Sequence, residues 1–118
     1  MLVVTLLVLA ALPALAAKGK KVTLSGVLVD VSCATERAGD LDGLRIKHTK
    51  KCLQMPDCDK SGFALLTADN KVIRFDEAGN QQARTLIAKT EKERDWQVKV
   101  SGRLDGEALA VKKLTLAP

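Results

Sequence analysis

The side chains best suited to chemistry lie in one stretch of the chain. The three cysteines, Cys33, Cys52 and Cys58, and the only histidine, His48, all fall between Ser32 and Ser61. Three chemistries are open to them. The first is metal ligation. The sequence from Leu41 to Leu53 can be helical, which puts His48 and Cys52 one turn apart on a common face. Cys33 and Cys58, from the two ends of the stretch, then complete a set of three thiolates and an imidazole suited to Zn(II). A thioether from Met55 would turn the set towards copper, although Pro56 disfavours a helical Met55.

The second chemistry is a disulfide. Cys33 and Cys58 stand at the two ends of the stretch, and a bridge between them would staple its neck, contributing about 3 kcal/mol through the loop it closes. Cys52 would be left over, since three cysteines make one bridge and a spare. Pairing Cys52 with Cys58 is a further choice, but so short a loop restricts the unfolded chain less. The third chemistry is a reactive thiol, with His48 activating Cys52 while Lys47, Lys50 and Lys51 favour its thiolate. No residue pattern nominates an oxyanion hole. A plainer reading of His48 is a surface histidine on a lysine-rich helix.

Other candidates are weaker. Asp40, Asp42 and Gly43 resemble the start of a calcium loop, but lysines follow where a closing acid is needed. Asp57 and Asp59 read as a solvated turn after Pro56, and Trp96 as an ordinary core or rim position at the start of a strand.

These residues need a frame. In VTLSGVLVDV, Val22 and Leu24 share one face before Gly26, and Val27, Val29 and Val31 share the other after it. A face switch at a glycine marks a strongly bent strand. After the Cys/His stretch, FALLT and KVIRF read as a hairpin turning at Asp69 and Asn70. Asn80 can cap a short helix carrying Ala83, Leu86 and Ile87 on one face and running to about Thr90. Trp96 to Gly102 and ALAVKKLTL form two more strands, joined by a turn at Asp105 and Gly106. The expected fold is therefore mainly β: a five-stranded OB-fold-like Greek-key barrel with one helix between strands three and four. A partly helical insertion, residues 32–61, follows strand one and edges the ligand face.

The run GVLVDVSCA, a loop with a histidine and two cysteines, SGFALLTADNKVIRFDEAGN and the closing VKVSGRLDGEALAVKKLTL together resemble a family of small secreted bacterial proteins of OB-like fold. The likeness spans nearly all of the chain after the N-terminal segment. It implies a Cys/His-bearing loop between strands one and two, to which Cys33, His48, Cys52 and Cys58 correspond, and it implies no particular activity. The spacing of Cys52 and Cys58 is wider than that family's close pair.

The N-terminal segment differs in kind from the rest. Fourteen of the first 16 residues are apolar and none is charged, whereas all 19 Lys and Arg and all 14 Asp and Glu lie beyond them. With Pro13 and the small residues Ala14 and Ala16 near its end, residues 1–16 read as a signal peptide cut near Ala16 or Ala17. Lys18, Lys20 and Lys21 follow it and no basic residue precedes it, a charge order that would suit an uncleaved anchor. No cysteine follows to take a lipid. Residues 17–118 are too few for a second domain.

Net charge is +5, with basic residues spread through every segment, which reads as a solvated surface and not as a nucleic-acid stripe. Export would place the cysteines where disulfides persist. The expectation is thus a secreted or periplasmic binding module, not an enzyme, whose loop holds zinc or copper through Cys33, His48, Cys52 and Cys58. No nucleic-acid partner is expected, and membrane contact only through an uncleaved N-terminal segment. The rival readings are a disulfide-stapled domain binding a peptide, glycan or protein, and a thiol redox protein.

Overall fold

The computed structural model describes residues 19–118; the signal peptide expected over residues 1–16 lies outside them. Five strands close into a barrel: β1 (Lys20–Asp30), β2 (Phe63–Leu66), β3 (Val72–Phe75), β4 (Gln97–Asp105) and β5 (Ala108–Leu116). Around the barrel the order is β1, β2, β3, β5, β4 and back to β1. All neighbours are antiparallel except β3 and β5, which run parallel.

The long first strand serves two partners. Lys20 to Val27 pair with β4, and Val27 to Asp30 pair with β2. The handover falls beside Gly26, where an added Cβ would sit 2.5 Å from the carbonyl oxygen of Leu66. Only a residue without a side chain lets the strand bend so closely over its neighbour. Before this point exposed and half-buried residues alternate along β1, and after it every residue is buried. All of β2 is buried as well. These two segments carry the barrel interior on one face and are covered by helices on the other, so period-two alternation disappears.

The covering layer includes the segment between β1 and β2, which folds as four short helices: α1 (Val31–Glu36), α2 (Leu41–Lys47), α3 (Lys50–Leu53) and α4 (Pro56–Ser61). The single helix expected from Leu41 to Leu53 is in fact two. His48 is extended (φ −72°, ψ 124°), and Thr49 starts α3 as its N-cap, its side-chain oxygen accepting the Cys52 amide. A strong capping residue in mid-segment offers the backbone this alternative to continuing the helix, and the Lys50 amide donates outside the segment, to the Glu93 carbonyl at 2.9 Å.

Helix α5 (Glu77–Lys89) lies between β3 and β4 in the chain. Its cap is Asp76, whose carboxylate accepts the Gly79 and Val111 amides, and not the expected Asn80. Asn80 sits inside the helix and accepts the Phe63 amide at 2.8 Å, tying α5 to the start of β2. Ala83 and Ile87 face the core, together with Trp96, Val98, Val100 and Leu109. Among the described residues no helix is long and apolar enough to cross a membrane.

Candidate metal centre

The site forms where β1 ends. Asp30 is the last residue of that strand and the N-cap of α1; its Oδ2 accepts the Cys33 amide at 2.9 Å. One side chain thus ends a strand, starts a helix and fixes the position of Cys33. Cys58 reaches the same place from α4. Ser61 clamps the two helices together, its hydroxyl accepting the Ser32 amide at 3.0 Å and donating to the Cys58 carbonyl at 2.7 Å. The backbone repeats the link, with the Val31 amide donating to the Gly62 carbonyl at 2.9 Å. Arg84 of α5 holds α4 from outside, its Nε 2.9 Å from Asp59 Oδ1.

The result is a cluster of three donor groups. A carboxylate oxygen of Asp30 and the sulfurs of Cys33 and Cys58 all lie within 4.8 Å of one another. Asp30 and Cys58 are buried and Cys33 is half-buried. All three cysteines are unbonded thiols, and no disulfide joins Cys33 to Cys58.

His48 approaches the cluster from the side. It is only 3% exposed, which corrects the expectation of a surface histidine on a lysine-rich helix: the break between α2 and α3 turns the ring inward. Its Nε2 stands 2.9 Å from Asp30 Oδ1, close enough for an ion pair but out of line for a hydrogen bond. Cys52 lies apart from the mutually close set. It is held locally, with the Thr49 hydroxyl donating to its sulfur at 3.2 Å. Met55 is half-exposed at the start of α4.

Burial and charge set the protonation of the cluster. Loss of solvent pushes the Asp30 carboxyl up, but His48 and the Cys33 amide outweigh it, and the group titrates below the usual carboxylate range. The thiols move the other way. Burial, then the Asp30 charge, pushes Cys33 up to about 12, and the same two causes raise Cys58. At neutral pH the site therefore holds one negative charge beside two protonated thiols. A divalent cation would invert that balance, since a coordinating thiol is deprotonated by the metal's own charge.

Asp30 escapes the reading of the sequence because it looks like an interruption in an apolar strand. The signal present is an acid at the end of VLVD followed three residues later by a cysteine, the spacing of an N-cap and the amide it accepts. No known protein family, no curated protein and no solved structure matches the chain.

Proposed function

We propose that this chain is an exported binding module of OB-like fold that holds a transition-metal ion through Asp30, Cys33 and Cys58. The observation that carries the reading is the convergence of one carboxylate oxygen and two sulfurs within 4.8 Å, a span that bonds of about 2.0–2.3 Å to one ion can bridge after small side-chain rotations. His48 acts behind Asp30, orienting the carboxylate in the way that outer-shell partners orient metal ligands. Two thiolates with an oxygen and a nearby imidazole suit zinc. Copper, the other candidate, would gain from a thioether, but Met55 is 50% exposed.

The OB-like assignment is supported by the strand order, with β1 closing on β4 and β3 running parallel to β5. Residence in the periplasm or outside the cell, and kinship with small secreted OB-like proteins, rest on the N-terminal segment and on the layout of GVLVDVSCA and the motifs after it.

The same closeness supports a second reading, in which Cys33 and Cys58 are oxidised to a disulfide that staples the insertion and leaves Cys52 free. Counting thiols and metal on the protein isolated from its own compartment separates the two. Three titratable thiols with about one equivalent of zinc or copper, lost in Cys33→Ala and Cys58→Ala, support the metal centre. One free thiol and no metal would overturn it in favour of the disulfide.

A further inference from the structure

Basic residues that are scattered in the sequence meet on the outer face of the barrel. Lys21 of β1 lies directly across from Arg103 of β4, and in the next row Thr23, Ser101 and Lys113 stand in register across β1, β4 and β5. A bulge beside Ser101 and Gly102 adds Lys112, so that both lysines are exposed on β5. Lys21, Thr23, Ser101, Arg103, Lys112 and Lys113 line a groove of about 600 Å³ into which no carboxylate projects. Among the described residues none of these four cations lies within 4.0 Å of an acid. Like charges directly opposite one another on a sheet destabilise it, so the face carries a repulsion that a bound anion would relieve.

We infer that this groove binds an acidic polysaccharide, a chain of uronate-type sugars lying across the three strands. The three strands together span about 10 Å, two interstrand spacings, enough for a short stretch of an extended chain to cross them. Four cations over two rows exceed what one small anion needs. Single-stranded nucleic acid is bound largely by aromatic stacking, yet Phe63, Phe75 and Trp96 are all buried. An acidic peptide in extended form adds to a sheet edge, and the closed barrel presents none here. A flat membrane surface does not follow a groove. The hydroxyls of Thr23 and Ser101 both donate and accept, matching the hydroxyls of a sugar chain, whereas an inorganic polyphosphate at this face offers acceptors only.

Alginate oligosaccharides serve as the probe, with inorganic polyphosphate, oligodeoxythymidine and phosphatidylglycerol vesicles as competitors. The full chain is expected to bind alginate with an affinity that falls as salt rises. Joint substitution of Lys112→Glu and Lys113→Glu should weaken binding at least tenfold, with the far-ultraviolet spectrum unchanged. Lys89→Glu, on the exposed face of α5, serves as a charge control and should change it less than twofold. Equal loss in the control, retention in the double variant, or tighter binding of any of the three competitors would overturn the assignment.

Discussion

Nε2 of His48 lies 2.9 Å from Oδ1 of Asp30, with the two side chains 2% and 0% exposed. The contact joins the turn between α2 and α3 to the end of β1 and shuts both polar groups away from water. A buried pair of this kind stabilises mainly in the sense that neither partner tolerates loss of the other.

Asp30→Ala is expected to destabilise the protein by about 3–5 kcal/mol, because His48 is left buried without its partner and the Cys33 amide loses its cap. Asp30→Asn keeps an acceptor for that amide and should cost clearly less. Urea unfolding of the two variants checks the ordering, and equal losses would remove the cap hydrogen bond from the account and leave the effect to the lost Asp30 charge.

Cys33 gives the protein an alkaline limit. Its thiol titrates near 12 in the fold against an ordinary value of 9.0. The unfolded chain therefore releases this proton first, and the stability that the group contributes is whole below pH 9.0 and lost as pH rises towards 12. In metal-free protein, alkylation of Cys33 should be slow at neutral pH and rise about tenfold per pH unit well above it, in step with the thiolate fraction. Peptide mapping after iodoacetamide treatment reads this directly, and a plateau below pH 9 would contradict it.

Gly26→Ala forces a methyl group against the Leu66 carbonyl, 2.5 Å away. The carbonyl is backbone and both residues lie in paired strands, so the strands must part, and a loss of about 1–3 kcal/mol is expected, typical of overpacking. Gly39→Ala meets nothing within 4 Å and should shift stability by less than about 0.5 kcal/mol, as for an ordinary surface change. Thermal unfolding of the pair makes the comparison.

Thr49→Ala separates the cap from the metal centre. Removing the side chain that accepts the Cys52 amide should cost about 1 kcal/mol, the usual worth of an N-cap. Metal stoichiometry should stay the same, because Cys52 lies outside the close set of donors. Elemental analysis showing metal lost with Thr49 would return Cys52 to the ligand set.

The two ends of the insertion were legible because Cys33 and Cys58 flank strands whose apolar pattern predicts pairing, and Asp30 does pair with Phe63. The break at His48 was not. Helical spacing through LDGLRIKHTKKCL is locally sound, and the burial of His48 against Asp30 comes from residues 18 positions away, a distance that no local pattern reports. Asn80 reads as a cap for the same reason: its side chain could serve one locally, but the fold employs it on the Phe63 amide across the layer.

Residue types and periodicity by themselves determined the β-rich character of the chain, the glycine at the bend of β1 and the segment in which thiols and imidazole would act, since each depends on neighbours within a few residues. Tertiary structure alone decided that Asp30 joins Cys33 and Cys58, that His48 is buried beside them while Cys52 stands apart, and that Lys21, Arg103, Lys112 and Lys113 share one groove. Closing the barrel sets β1 against β4 and β4 against β5, and strand register, which brings side chains from distant parts of the chain within a few ångströms, exists only once those strands have paired.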